Sequence, residues 1–280
     1  MAENTIAILG GRGMLGTDLA NACKSSSLQC SVFDLPEFDI TSTEHIERVI
    51  QKADIIINCA AYTNVDKAES EFNRAYEINA LAVGNLGTMA KREKKFVFHI
   101  STDFVFDGKL DAPYMETDTP NPINAYGKTK LAGEQFLEQT GCDYCIIRTQ
   151  WTYGRAGNNF IKKLIARSNK HKDIKVVDDQ VGSPTATTEL AKTICRLLPQ
   201  RPSGCFHFAA SGYVTRFEMA KFVFENLKIP VNLSSCKTGD FPSPAKRPLN
   251  SRFNCEKIQA ILEQPIENWQ IPLKHFLEQL

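Results

Sequence analysis

A short apolar run, Thr5-Ile6-Ala7-Ile8-Leu9, passes directly into Gly10-Gly11-Arg12-Gly13-Met14-Leu15-Gly16 and then into a helical stretch from Thr17 to Cys23. The glycines fit two registers, Gly11-x-Gly13-x-x-Gly16 and Gly10-x-x-Gly13-x-x-Gly16. Glycine here serves the tight turn, the close approach of backbone N–H groups to a pyrophosphate, and the packing of helix on strand, while the helix N-terminus supplies positive potential. A second apolar run, Cys30-Ser31-Val32-Phe33, ends at Asp34, 18 residues after Gly16. An acidic group there is placed to accept hydrogen bonds from an adenosine ribose. These parts predict a dinucleotide site opening an α/β fold. Arg12 is placed to meet a 2′-phosphate and Asp34 to repel one, so NADPH and NADH both remain open.

The pattern then alternates. Asp54-Ile55-Ile56-Ile57-Asn58-Cys59 reads as a third buried strand. Glu71 to Arg92 reads as helix, with Ala75, Ile78, Leu81 and Leu86 among its apolar positions, and Lys95-Phe96-Val97-Phe98-His99-Ile100 as a fourth strand. Alternation of this kind implies a Rossmann-type parallel sheet doubly wound by helices. Such sheets bind ligands at the carboxyl ends of their strands. Ala60-Ala61-Tyr62-Thr63 after the third strand and Ser101-Thr102-Asp103 after the fourth are therefore expected on the rim of the site.

The next helix is expected to begin at Tyr126, after a turn-rich stretch holding Pro113, Pro120 and Pro122. In it Tyr126 and Lys130 stand four residues apart, on one helix face. A lysine ammonium held beside a phenol stabilises the phenolate and lowers its pKa, which suits the pair to acid/base work.

Composition narrows the alternatives. With 280 residues, 42% hydrophobic and 23% charged, the chain has the make-up of an ordinary globule with room for a large core. Its net charge of +1 gives no electrostatic footprint for nucleic acid. No apolar stretch is long enough to span a bilayer, and Met1-Ala2-Glu3-Asn4 leads at once into the first strand without a signal peptide, so a cytoplasmic location is expected. The nine cysteines have no regular spacing, and Cys142-x-x-Cys145 lacks the second pair or histidines that zinc needs. They read as reduced, mostly buried thiols. His45, His99, His171, His207 and His275 show no ligand spacing and read as structural or surface groups.

These parts together resemble the extended branch of the short-chain dehydrogenase/reductase superfamily, which acts on nucleotide sugars. The glycine loop, Asn58-Cys59-Ala60-Ala61, the hydroxyl residue Thr102 at 24 residues before Tyr126, and Tyr126-x-x-x-Lys130 stand in the expected order. Within that branch, seven blocks are similar to the dTDP-4-dehydrorhamnose reductase family: Asn64 to Ser70, Ser101 to Gly108, Tyr126 to Glu134, Arg148 to Tyr153, Gly157 to Phe160, Asp179 to Thr185 and Arg247 to Ser251. The resemblance implies Thr102, Tyr126 and Lys130 as the catalytic group, with Ser101 a competing hydroxyl. It implies cofactor contacts at Gly10, Gly13, Met14, Leu15, Gly16, Asp34, Asp39, Ile40, Ala61, Tyr62 and Thr63 as well as Tyr126 and Lys130, and sugar contacts at Val65, Thr102, Asp103 and Trp151. The implied reaction is reduction of the C4 keto group of a dTDP-linked 4-keto-6-deoxy sugar by NADPH or NADH. Lys130 would hold the nicotinamide ribose and lower the Tyr126 pKa.

The resemblance further implies a dinucleotide-binding unit over 1–150 and a smaller, mainly substrate-binding unit over 151–280, some of whose elements return to the large sheet. Helices near 158–168, 187–198 and 215–226 alternate there with the short runs Lys175-Val176-Val177 and Cys205-Phe206-His207-Phe208. Arg247 is suited either to a nucleotide phosphate or to solvent. Some relatives bridge two subunits with magnesium through glutamates. Glu189 matches one such position, but Asp18 and the uncharged Gln279 stand at the others, so no metal is expected and the chain is expected as a monomer or homodimer. Related classes are a nucleotide-sugar dehydratase, for which Asp103-Phe104 departs from the usual Asp-Glu pair, an epimerase that retains NAD, and a non-catalytic subunit resembling the β subunit of methionine adenosyltransferase.

Overall fold

The computed structural model describes residues 4–280; the reading of Met1 to Glu3 lies outside them. The first half of the chain lays down β1 (Ile6–Leu9), α1 (Met14–Ser25), β2 (Cys30–Phe33), α2 (Thr43–Ile50), β3 (Ile55–Asn58), α3 (Phe72–Tyr76), α4 (Ala82–Arg92), β4 (Phe96–Thr102), α5 (Ala125–Gln139) and β5 (Asp143–Thr149). Beyond β5 the elements shorten to β6 (Thr152–Tyr153), α6 (Phe160–Ser168), β7 (Asp173–Val177), β8 (Val181–Gly182), β9 (Thr185–Ala186), α7 (Thr187–Leu197), β10 (Gly204–His207), β11 (Val214–Thr215), α8 (Arg216–Asn226), β12 (Asn232–Cys236), α9 (Glu256–Leu262) and α10 (Gln270–Leu277).

Six strands form one sheet in the order β10-β5-β4-β3-β1-β2, every neighbouring pair parallel. Period-two alternation explains why helices cover both faces. Ile6, Ile8, Ile55, Ile57, Phe96 and Phe98 face α1, α7 and α9, whereas Ala7, Leu9, Ile56 and Val97 face α2, α4 and Leu137 of α5. Each such aliphatic or aromatic side chain taken from water contributes about 1.5–3 kcal/mol. Strand order reverses at β1, which lies between β2 and β3, and a crevice for a ligand forms beyond the carboxyl ends there.

Three local features depart from the expected pattern. Helix α1 begins at Met14 rather than Thr17, because extended Gly13 already serves as its N-cap. Strand β4 runs on through Ser101 and Thr102, which pair with Arg148 and Thr149, so these hydroxyls end the strand instead of following it. The helix expected over 71–92 is interrupted by a π turn at Glu77–Leu81 between α3 and α4. The wider turn rotates the apolar stripe and leaves Leu81 exposed.

A second lobe has its own core, in which α6, α8 and α10 bury Ile161, Met219, Val223 and Leu273 around the parallel pair β7 and β12. From within the same half of the chain, β10 and α7 pack on the large sheet. All nine cysteines are free; Cys23, Cys142, Cys145 and Cys195 are buried and the rest half-buried. Among the described residues no helix is long and apolar enough to cross a membrane.

Candidate active site

At the end of β1 the chain turns through Gly10 at φ +71°, where a Cβ would lie 2.7 Å from the Ala60 nitrogen. A Cβ at Gly16 would collide with the Gly10 carbonyl. The loop therefore holds backbone against backbone, and α1 starts without a side-chain cap. Its first turn faces a cleft of about 630 Å³. Asp34 stands on the lip, its carboxylate accepting from the Arg12 nitrogen at 2.7 Å and the Leu35 nitrogen at 2.8 Å. Arg12 reaches outward to Glu37 at 2.9 Å. Asp39, held by the Thr41 amide and hydroxyl, and buried Ile40 complete this end.

Of the residues expected at the cofactor, Gly10, Gly13, Met14, Leu15, Gly16, Asp34, Asp39, Ile40, Ala61, Thr63, Tyr126 and Lys130 all line this cleft. Tyr62 does not. Its hydroxyl donates to Glu71 at 2.7 Å and its ring packs with Ala68 and Ala75, leaving only its backbone near the rim.

The residues expected to be catalytic lie on β4 and α5. Asn124 caps α5 through the Gly127 nitrogen at 2.8 Å, which fixes where the helix starts. Gly133 brings the same helix against the Asn79 carbonyl, a contact that any Cβ would prevent. Tyr126 then packs edge-on to Phe104, with ring centroids 5.6 Å apart, next to the Thr102 hydroxyl and Asp103. Burial and the Asp103 charge push its phenol up to about 12, against an opposing hydrogen bond from Thr102. This corrects the expectation that Lys130 lowers the Tyr126 pKa. Lys130 is held against β4, donating to the Ile100 carbonyl at 2.7 Å and lying 3.2 Å from His99 Nε2. Burial brings Lys130 down to about 8.

Asp103 is buried, and burial raises its carboxyl despite bonds from Ser251 and Thr102. Val65 and Trp151 line the same end of the cleft. Trp151 occupies φ +46°, a strained conformation for a bulky residue, at the turn leaving β5. Over its ring, 3.5 Å from the centroid, lies the Arg216 guanidinium. Burial pushes Arg216 down to about 9, and among the described residues no hydrogen bond holds its side chain. A cation on the first residue of α8 also opposes the helix dipole. Sequence reasoning missed Arg216, since a lone arginine opening a helix carries no motif and its partner Trp151 is 65 residues away. Thr149 Oγ1 and Gln150 Nε2, on residues that line the cleft, are buried without partners.

Behind the site, Glu134 of α5 and Arg148 of β5 form a buried ion pair at 2.6 Å. Of the positions weighed for magnesium, Asp18 accepts from the Thr187 hydroxyl at 2.5 Å, Glu189 pairs with Lys192 at 2.7 Å, and Gln279 is exposed beyond α10. Arg247 pairs with Asp66 at 2.9 Å.

A glycine-cradled cleft at the switch point of a doubly wound sheet, with a tyrosine and lysine on the helix after β4, defines an extended short-chain dehydrogenase/reductase. The chain matches the family described as RmlD substrate binding domain over residues 4–280, and it belongs to that family. It is 36% identical to dTDP-4-dehydrorhamnose reductase of Escherichia coli K12, with 98% of this chain and 97% of that protein covered. Its fold superposes with TM-score 0.95 on dTDP-4-dehydrorhamnose reductase of Bacillus anthracis in complex with NADP, at 35% identity and full coverage of both chains. The corresponding protein of Clostridium acetobutylicum gives TM-score 0.94 at 36% identity, covering 98% of this chain and 99% of that one.

Proposed function

We propose that the chain reduces the C4 keto group of dTDP-4-dehydro-L-rhamnose to dTDP-L-rhamnose, the last step of dTDP-rhamnose biosynthesis, with NADPH or NADH as donor. The observation that carries this reading is the convergence of Thr102, Asp103, Tyr126 and Lys130 with the glycine loop in one cleft. The near full-length similarity to reductases of that name supports the choice of sugar nucleotide.

The cofactor fits the cradle, because Gly10 and Gly16 leave no Cβ in the loop and the uncapped start of α1 offers backbone N–H groups to its phosphates. Gly13, Met14 and Leu15 would hold the pyrophosphate, Asp34, Asp39 and Ile40 the adenosine end, and Ala61, Thr63 and the Tyr62 backbone the middle. When bound, the reduced nicotinamide supplies the hydride. Tyr126, kept protonated by its raised pKa, donates a proton to the developing alkoxide at C4. Thr102 hydrogen-bonds the carbonyl oxygen, and Lys130 binds the nicotinamide ribose. Val65, Asp103 and Trp151 enclose the sugar, whose unmet partners include Thr149 Oγ1 and Gln150 Nε2. Residues 1–150 mainly serve the dinucleotide and 151–280 mainly the substrate, in a monomer or homodimer.

The test is nicotinamide oxidation, followed by absorbance, across a panel of nucleotide sugars with each dinucleotide. The expected result is turnover on dTDP-4-dehydro-L-rhamnose, with Tyr126→Phe slowed about 10²–10⁴-fold while still binding cofactor. No turnover on that sugar by the wild-type protein sinks the assignment, and tightly bound NAD in the purified protein points to an epimerase.

A further inference from the structure

Asp103 follows directly on β4 with its side chain buried, and a buried carboxylate needs donors for its oxygens. Two hydroxyls supply them. Asp103 Oδ1 accepts from the Thr102 hydroxyl at 3.0 Å, and Oδ2 accepts from Ser251, 148 residues further along the chain. An ionised carboxylate can only accept, so each hydroxyl spends its one proton there. The Thr102 oxygen in turn accepts the Phe104 N–H at 3.2 Å, capping the 3₁₀ turn Asp103–Val105. Its rotamer is therefore held from two sides. Ser251, also buried, is placed by the second half of the chain, where Val181 of β8 donates to the Leu249 carbonyl at 2.7 Å and accepts from the Ser251 N–H at 2.8 Å. Gly108 lets this segment close in, since a Cβ there would lie 2.7 Å from the Leu249 nitrogen. The Ser251–Asp103 bond thus joins β8 to the end of the strand that carries Thr102.

We propose that Ser251 is a positioning residue for the reduction, keeping the Asp103 carboxylate ionised and turned to Thr102 so that the Thr102 hydroxyl oxygen is fixed beside the sugar carbonyl. In activity terms this rests on the role given to Thr102 above; the tie between Ser251 and the charge of Asp103 does not. An O–H turns about its C–O bond without moving the oxygen, so the proton that rests on Asp103 can swing toward the carbonyl oxygen when the sugar is present. Burial raises Asp103, and the Ser251 bond opposes that rise, followed by the Thr102 bond and the Arg216 charge. The charged and titratable groups facing Asp103 are Arg216 of α8, which favours the carboxylate, and Tyr126 of α5, a neutral phenol. Without the Ser251 donor, Asp103 takes up a proton more readily, and a protonated carboxyl becomes a donor itself. That carboxyl is then free to turn, and Thr102 loses one of its two holds.

The experiment follows the carboxyl signals of ¹³C-aspartate-labelled protein against pH, Asp103 being assigned by its loss in Asp103→Asn. Ser251→Ala removes the donor, and Ser251→Thr keeps it. The Asp103 midpoint is expected to rise by about one unit or more in Ser251→Ala, a tenfold change in the charge ratio, and to rise less in Ser251→Thr. Equal midpoints for wild type and Ser251→Ala overturn the proposal. Where Ser251→Ala does not fold, Ser251→Cys, a much weaker donor, takes its place. Sugar reduction supplies the second readout. Ser251→Ala should lower kcat about tenfold, the worth of one hydrogen bond to a charged group, and lower it less than about twofold in a Thr102→Val background. Equal falls in both backgrounds mean a structural role only and overturn the proposal. No turnover by the wild-type protein removes the sugar assignment, and the carboxyl midpoints then decide the link between Ser251 and Asp103 by themselves.

Discussion

A helical spacing of four says that two residues share a face, and it says nothing of how far each side chain reaches. Tyr126 and Lys130 share a face, as the spacing requires, yet the long lysine ends on the Ile100 carbonyl of β4. The tyrosine is left with burial and Asp103 as its dominant neighbours, which makes it a firm proton holder in the protein as it stands. Arg216 shows the converse. Nothing local marks it, but the fold lays its guanidinium flat on Trp151 and leaves its N–H groups open to the cleft that also holds Asp103. An unpaired guanidinium in that position is suited to an oxygen anion of the substrate, such as its diphosphate. Arg216→Met is therefore expected to raise KM for the nucleotide sugar about tenfold or more, the worth of one charge-assisted hydrogen bond, with the cofactor KM little changed. Steady-state kinetics with each substrate varied in turn would check it. Equal KM values for wild type and variant would show that Arg216 does no more than prop the tryptophan ring.

At the scale of elements, the first strand, glycine loop and helix were readable because most of their constraints are local: the turn, the approach of Gly16 to Gly10 and the helix start lie within seven residues, and only the approach of Gly10 to Ala60 is distant. The placement of α5 was not, because it depends on two irregularities that meet only in space. The π turn at Glu77–Leu81 carries Asn79, whose amide bonds the Tyr62 carbonyl and Thr129 hydroxyl, each at 3.0 Å, and whose carbonyl is covered by Gly133. Apolar residues continue through the turn, so periodicity gave no sign of the extra residue. The orientation of the Tyr62 side chain was hidden for a related reason, since Glu71 at the start of α3 accepts its hydroxyl at 2.7 Å. Because Gly133 seats the helix that carries Tyr126 and Lys130, Gly133→Ala should disturb stability and chemistry together. The added methyl collides with backbone that cannot move cheaply, and overpacking of this kind costs about 1–3 kcal/mol. A fall in the urea midpoint accompanied by a fall in kcat would agree; an unchanged midpoint and kcat would mean that α5 is seated by other contacts.

At the scale of the molecule, the doubly wound sheet followed from alternation alone, while the return of β10 to that sheet did not show in a four-residue run that could equally have stayed in the second lobe. What holds β10 in place is a seam of distant residues. His207 at its end stacks on Phe253 with centroids 4.0 Å apart, donates from Nδ1 to the Tyr114 carbonyl at 3.1 Å, and presents Nε2 to Arg148 at 3.5 Å. Burial and the Arg148 charge push His207 down to about 3, so folding holds it neutral where the unfolded chain, with an ordinary value near 6.5, takes up a proton. Between those two values the unfolded state binds more protons than the folded one, and stability must fall as pH falls from about 6.5 toward 3. The loss from one such group is about 1.4 kcal/mol per pH unit. His207→Gln keeps a donor for Tyr114 and an acceptor for Arg148 but cannot titrate, so its stability should decline less steeply by about that amount per unit between pH 6 and 4. Urea unfolding at three pH values would measure both slopes. The variant's absolute stability is immaterial to the comparison, because a packing defect shifts its line without tilting it; equal slopes would mean that His207 is free to take a proton in the folded protein and that the seam does not exclude charge.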